Sequence, residues 1–164
     1  MVSIARELLR RQYIELTKSS SCIFSVGLEN DDLFHWRICF QGPHGTPFEG
    51  GIFTVMMTFP ETFPNDPPKM KFEQKMWHPN IYPDGRVCIS ILHGANDDIY
   101  NEHEPSDERW RPVLSVESIV LSVISMLTEP NVESPANVDA AVELKRDPLS
   151  YKKRVQLYAR NTVT

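Results

Sequence analysis

Residues 33–59 read LFHWRICFQGPHGTPFEGGIFTVMMTF, and this stretch decides the fold class. Two runs of aromatic and β-branched residues, which favour strands, flank a connector rich in glycine and proline. A similar run, CIFSVGL, precedes this stretch and is joined to it by the turn-forming connector ENDD. Another, KMKFEQKMW, follows it after the connector PETFPNDPP. Short connectors join antiparallel neighbours, so the sequence from Ile23 to Lys75 predicts a four-stranded antiparallel meander.

Segments with helical periodicity precede and follow the predicted strands in the sequence. Residues 3–17 indicate an amphipathic first helix with arginines on its polar side. Ser115 can cap a central helix that Pro130 ends, and Asp147 followed by Pro148 can begin a last helix at the surface. The predicted class is therefore α+β, with an N-terminal helix, a four-stranded antiparallel meander sheet, a loop-rich active site, a central helix and C-terminal helices.

Size and charge exclude several classes of protein. A chain of 164 residues, 41% of them hydrophobic, can bury one substantial core, so a single domain over residues 1–164 is expected. The net charge of -5 argues against nucleic-acid binding, which needs clustered lysine and arginine. The start, MVSIARELLRRQYIEL, mixes charged and apolar residues, so neither a signal peptide nor direct membrane insertion is expected.

Three cysteines are too few and too scattered for a disulfide framework, and none forms a C-x-x-C zinc pair. A reducing, cytoplasmic location and no bound metal are expected. Cys22 and Cys39 lie in or beside apolar strand runs and are expected to be small buried hydrophobic residues, which is the commoner role of a free cysteine. Cys88 instead follows turn-rich, polar sequence and is the candidate nucleophile.

The segment around Cys88 resembles the active site of ubiquitin-conjugating enzymes. HPN at 78–80, the turn IYPDG and the run VCISIL match that family, including the spacing from Asn80 to Cys88. Further similar segments cover nearly the whole chain: GPHGTPFEGG, FPETFPNDPPK, ERWRPVLSVESIVLSVISML and EPNVESPANVDAA. The insertion from His93 to Arg109 and the phrase SPANVDAA resemble the G-type group, which includes relatives that work in degradation of endoplasmic-reticulum proteins.

The resemblance implies a catalytic cycle. Cys88 would receive ubiquitin as a thioester from an ATP-dependent activating enzyme and, with a ubiquitin ligase, pass it to lysine, with no cofactor of its own. The side-chain amide of Asn80 would stabilise the oxyanion or order the site loop. Many relatives carry an acidic residue where this sequence has Ser134. The group that handles the incoming lysine is therefore open between Ser134, Asp139 and a carboxylate of the insertion such as Asp97 or Asp98, with Asp98 ranked first.

Partner surfaces are also implied by position. Arg10 and Arg11 match the first-helix face that meets the activating enzyme. Arg111 and Pro112 match a loop that meets ligases, and so does Asn65, which stands where an aromatic residue is common. Losing an aromatic anchor there is expected to narrow the choice of ligase, unless Asn65 is an ordinary turn residue.

The carried ubiquitin would fold back against the central helix at Leu121 and Ser122, although Leu121 is also a candidate core residue. The chain is expected to act as a monomer. A partner is expected to recruit it to the endoplasmic-reticulum surface.

Alternatives remain open on the sequence. The chain could be a non-catalytic ubiquitin-binding scaffold or could conjugate another ubiquitin-like modifier. A cysteine hydrolase would pair Cys88 with His78, although His78 beside Pro79 is expected to hold loop backbone by hydrogen bonds. The acidic insertion would disfavour a thiolate and attract an ammonium group if it folds near Cys88, or it would be a solvated lid. His93 and His103 give only a weak metal signal.

Overall fold

The structure is a computed structural model, and it describes residues 3–19, 23–94 and 109–164. Helix α1 (Ile4–Lys18) precedes the strands β1 (Phe24–Glu29), β2 (Asp32–Gln41), β3 (Ile52–Thr58) and β4 (Lys69–Phe72). A short 3-10 turn (Ser90–Leu92) follows, and the helices α2 (Val116–Thr128), α3 (Val138–Arg146) and α4 (Pro148–Asn161) come last. This order confirms the predicted α+β class.

The four strands form one antiparallel sheet in the order β1-β2-β3-β4, which confirms the meander. Burial alternates along β2, where Trp36, Ile38 and Phe40 point into the core and the residues between them point outward. The fourth run is shorter than its composition suggested. Only Lys69–Phe72 pairs as a strand, and an irregular segment leads from it towards His78.

Cys39 corrects the expectation that it is a buried hydrophobic residue. It lies on the outward face of β2, opposite Ser25 in β1 and Thr54 in β3, and is only half-buried. An apolar run does not by itself tell which alternate positions face the core, because the strand period of two divides the run between both faces. Cys22 lies outside the described residues.

The helix ends follow the predicted capping chemistry. The side chain of Ser115 accepts from the Ser118 amide at 3.1 Å, and Asp147 accepts from the Ser150 amide at 3.2 Å. The sequence predicted C-terminal helices without bounds for α3, which has nine residues, buries Ala140 and Ala141 and leaves Val138 exposed. Its Asn137 cap was the available signal.

Helix α2 is central to the core, as predicted. The side chains of Ile119, Val120 and Val123 are at most 1% exposed and belong to the cluster that includes the inward residues of the sheet. Each such side chain contributes roughly 1.5–3 kcal/mol on burial, so the position of α2 against the sheet is tightly determined. Among the described residues, no helix is long and apolar enough to cross a lipid bilayer.

Candidate active site

His78 is buried in the centre of the site region and is bonded to backbone through both ring nitrogens. Its Nε2 lies 2.8 Å from the carbonyl of Met126 in α2, and its Nδ1 lies 2.9 Å from the amide of Asn80. A carbonyl can only accept and an amide can only donate, so the ring is neutral with its proton on Nε2. Burial lowers the pKa of His78 to about 4, which keeps it neutral. The expected structural role is confirmed, and the pairing of His78 with Cys88 is wrong.

Pro79 and Asn80 extend this attachment to the segment before α3. The carbonyl of Pro79 accepts from the amides of Ala136 and Asn137, at 2.8 and 3.0 Å. The side chain of Asn80 donates from Nδ2 to the Asn131 carbonyl at 2.8 Å and accepts at Oδ1 from the Asn131 amide at 2.9 Å. Asn80 therefore joins the two loops that border the site. An amide nitrogen carries two hydrogens, so Nδ2 retains one donor.

A tight turn brings Cys88 back beside Asn80. The Gly85 amide donates to the Tyr82 carbonyl at 2.8 Å, and Gly85 has φ +99, which disfavours a side chain. A Cβ at Gly85 would also lie 2.5 Å from the Phe72 carbonyl oxygen. Beyond the turn, the Cys88 amide donates to the Asn80 carbonyl at 2.9 Å. The two residues that the sequence singled out are therefore neighbours.

The thiol of Cys88 is half-buried and contacts two side chains that the sequence analysis did not assign to it. Its Sγ lies 3.6 Å from His93 Nε2. The second side chain is Tyr82. The negative charge of a Cys88 thiolate, then burial, and then the hydrogen bond between the phenol and the sulfur raise the pKa of the Tyr82 phenol. The guanidinium of Arg86 lies 4.5 Å from the Tyr82 ring centroid and donates to Asp84 at 2.8 Å. The YPDG turn was visible in the sequence, but its contact with the thiol was not.

An open groove of about 490 Å³ runs past the thiol. Asn80, Cys88 and Ser134 all border it, so the structure brings together three of the four predicted catalytic residues. Two carboxylates that the sequence analysis did not consider, Glu129 and Glu133, also border the groove. Ser134 has φ +49, a conformation that costs a non-glycine residue free energy, so its position at the groove is held by the surrounding backbone.

Asp139 is the one remaining candidate for lysine handling within the described ranges. Asp98, the predicted residue ranked highest, falls outside the described residues, as does Asp97, and so does His103 of the weak metal signal. Asp139 is exposed in the first turn of α3 and does not border the groove. Within the described ranges, no group of three or more His, Cys, Asp and Glu side chains is arranged to hold a metal ion.

The residues predicted to bind partners lie at the surface. Arg10 and Arg11 are exposed on α1. Asn65, Arg111 and Pro112 are exposed on two loops, which the indole of Trp110 joins by donating to the Pro64 carbonyl at 2.8 Å. The two loops are therefore neighbours at the surface.

Leu121 and Ser122 lie half-buried on α2. Leu121 is not part of the buried core cluster, so it remains available for contact with a partner. The Ser122 hydroxyl donates to the Ser118 carbonyl at 2.9 Å, and Ser122 borders the groove beside Cys88.

Comparison with known proteins agrees with this arrangement. A family model described as ubiquitin-conjugating enzyme matches residues 8–159. The chain is 49% identical over 162 residues to ubiquitin-conjugating enzyme E2 15 of Schizosaccharomyces pombe, covering 98% of this chain and 96% of that protein. It is 48% identical over 163 residues to ubiquitin-conjugating enzyme E2 7 of Arabidopsis thaliana, covering 99% of this chain and 98% of that protein. The chain belongs to the ubiquitin-conjugating enzyme family.

The buried imidazole predicts a specific dependence of stability on pH. The pKa of His78 is about 4 in the folded state and about 6.5 when unfolded, so the unfolded chain binds more protons between these values. Stability is therefore fully present above pH 6.5 and falls as pH drops towards 4. From pH 7 to pH 5 the loss should be about 2 kcal/mol from this group alone.

Urea denaturation of the wild type and of His78→Gln at pH 7, 6 and 5 measures this contribution. The variant should be less stable at pH 7, and the difference between the two proteins should shrink by about 2 kcal/mol at pH 5. A stability difference that stays constant over this range would mean that His78 is not buried in the neutral form.

Proposed function

We propose that Cys88 is the residue on which this ubiquitin-conjugating enzyme carries ubiquitin as a thioester, and that the groove beside it receives the lysine amine. The observation that supports this most is the position of the Cys88 thiol, half-buried at the edge of an open groove that Asn80 and Ser134 also border. Conjugation of a different modifier and a non-catalytic scaffold are not favoured, because the matching family model and the similar proteins are named as ubiquitin-conjugating enzymes.

In the first step, the Cys88 thiolate attacks the ubiquitin thioester held by the activating enzyme, and the thiolate of that enzyme departs. Loading requires the Cys88 thiol to lose its proton, and His93 Nε2, 3.6 Å away, is positioned to accept it. The Tyr82 phenol, whose pKa is raised, stays protonated and can donate to the thiolate. ATP is consumed only by the activating enzyme.

In the second step, a neutral lysine amine attacks the thioester carbonyl, and the oxygen of the tetrahedral intermediate becomes negative. The remaining hydrogen on Asn80 Nδ2 can stabilise that oxygen, while the other holds the Asn131 carbonyl. The attacking nitrogen loses a proton to water in the groove, and collapse of the intermediate then expels the Cys88 thiolate and leaves an amide. Glu129 and Glu133 give the groove negative charge, which attracts the cationic form of lysine before it loses a proton.

The partners and location follow as part of the same proposal. The exposed arginines Arg10 and Arg11 meet the activating enzyme, and the joined loops with Asn65, Arg111 and Pro112 meet ligases. Leu121 and Ser122 support the carried ubiquitin. Residues 1–164 act as one catalytic domain and as a monomer in the cytoplasm, without binding nucleic acid or a cofactor. Membership of the G-type group and recruitment to the endoplasmic-reticulum surface stay predictions.

Replacing the sulfur with oxygen should change the chemistry of the adduct. Wild-type protein incubated with activating enzyme, ATP and ubiquitin should form an adduct that dithiothreitol cleaves. Cys88→Ser should give an adduct that resists dithiothreitol, because an oxygen ester is not opened by thiols, and Cys88→Ala should give none. Gel mobility with and without reductant makes the measurement. Cys39→Ser is the matched control and should behave as wild type; loss of the adduct in that variant alone would contradict the assignment.

Asn80 should matter for transfer rather than for loading. Asn80→Asp keeps an acceptor for the Asn131 amide but loses the Nδ2 donor and adds a negative charge. Discharge of preloaded enzyme to free lysine should slow by about 100-fold or more, while the adduct still forms. Single-turnover discharge and the melting temperature are measured together. Wild-type discharge in this variant, at unchanged melting temperature, would remove Asn80 from the chemistry.

A carboxylate at position 134 should improve the capture of lysine. Ser134→Asp suits the positive φ, which Asp and Asn tolerate better than most residues, and places a charge at the groove. An exposed ion pair is worth up to about 1 kcal/mol, so the half-saturating lysine concentration should fall by about fivefold. Ser134→Asn is the uncharged control of the same shape. Equal effects of Asp and Asn would show that charge at this position does not act on lysine.

A further inference from the structure

A second groove lies between α4 and the irregular segment that follows β4. It has a volume of about 300 Å³ and is bordered by Gln74, Lys75, Tyr158, Asn161 and Thr162. None of these residues takes part in the proposed chemistry, and none borders the groove beside Cys88. The second groove is therefore a separate feature of the surface.

The walls of the second groove are held in place from within the fold. Gln74 Oε1 accepts from the Thr54 amide in β3 at 2.8 Å. Thr162 Oγ1 accepts from the Ile52 amide at 2.8 Å and donates to the Ala159 carbonyl at 2.6 Å. These bonds attach both sides of the groove to the start of β3. The groove is consequently built before any partner arrives, which lowers the cost of binding.

One side of the second groove is formed by an aromatic ring next to a cation. The ammonium of Lys75 lies 5.1 Å from the centroid of the Tyr158 ring. Leu157 lies one helical turn before Asn161 on α4 and is 48% exposed although it is a large apolar side chain. A groove with an aromatic wall and a neighbouring exposed leucine is suited to an apolar side chain of a partner.

The charge around the second groove is positive, although the chain as a whole carries a net charge of -5. Helix α4 contains no acidic residue, and Lys153 lies on the flank that carries Leu157. Three carboxylates near this surface have partners: Glu73 pairs with Arg37 at 2.8 Å, and Glu143 accepts from Arg154 at 3.1 Å. Asp147, whose pKa is lowered mainly by hydrogen bonds from Ser150 and in part by the charge of Lys153, accepts from the Ser150 hydroxyl at 2.7 Å. Over the part of the chain that the structure describes, neither Lys75 nor Lys153 has a salt-bridge partner.

We propose that the second groove docks an acidic peptide segment of a partner protein, with an aliphatic or aromatic side chain inserted beside Tyr158 and carboxylates placed against Lys75 and Lys153. A concave site favours a peptide over a lipid surface, which would need apolar side chains on a flat, exposed face. The site would hold a partner without occupying Cys88 or its groove. Docking there is independent of the proposed conjugation chemistry.

The probe is a pool of nine-residue peptides with leucine or phenylalanine in the centre and aspartate or glutamate at the other positions. A matched pool carries asparagine and glutamine in place of the acids. Titrating the full chain while recording amide chemical shifts by nuclear magnetic resonance should show saturable shifts at Lys75, Tyr158 and Asn161 with the acidic pool. The neutral pool should produce much smaller shifts at the same concentrations, because it lacks the charge attraction.

Charge reversals distinguish the second groove from general attraction to a basic helix. Lys75→Glu and Lys153→Glu should each weaken binding of the acidic pool by about tenfold. Lys152→Glu makes the same charge change on the opposite flank of α4 and should leave binding nearly unchanged. All three variants should load ubiquitin on Cys88 at the wild-type rate, which shows that they are folded and separates this test from the proposed function.

Three results would overturn the proposal. The first is an absence of shifts at the second groove at millimolar peptide. The second is equal weakening by Lys152→Glu and Lys153→Glu, which would indicate nonspecific charge attraction. The third is binding of vesicles of phosphatidylserine and phosphatidylcholine that Lys153→Glu abolishes while the acidic peptides fail to bind, which would indicate a lipid surface instead.

Discussion

The buried imidazole of His78 is the constraint on which the site depends. Its two nitrogens bond the Met126 carbonyl in α2 and the Asn80 amide in the site loop. The ring has no exposed surface, so replacing these partners with water would require opening the core. Because α2 is itself fixed by apolar packing against the sheet, the imidazole transmits that rigidity to the backbone that carries Asn80. A loop without regular secondary structure thereby acquires a defined position.

Hydrogen bonds from Pro79 and Asn80 hold the loops of the site to one another. The Pro79 carbonyl accepts from the amides of Ala136 and Asn137, and the Asn80 side chain bonds both the carbonyl and the amide of Asn131. The cap of α3 at Asn137 and the groove residues between are positioned by the same bonds. The positive φ of Ser134 is tolerated in this setting because the backbone on both sides is already restrained.

The surroundings of Cys88 combine groups with opposite effects on a thiolate. Tyr82, and His93 once its Nε2 has accepted the thiol proton, can each donate to the sulfur and favour its negative form, whereas Glu129 and Glu133 at the groove disfavour it. In the proposed cycle, a thiol with both kinds of neighbour is suited to carrying an acyl group that it later releases to an amine. The second groove, beside α4, is positive, so the two grooves would select partners of opposite charge.

The sequence by itself determined the elements whose signals are local: the meander strands, the Ser115 and Asp147 caps, the turn before Cys88 and the motif that joins His78 to Asn80. These depend on side chains within a few residues of one another. Only the tertiary structure decided that His93 rather than His78 lies against Cys88, that Cys39 points outward, and that Glu129 and Glu133 share a groove with Ser134. The reason is physical. Each of those facts depends on how segments that are far apart in the sequence pack around α2, and a local sequence pattern does not encode the distances between such segments.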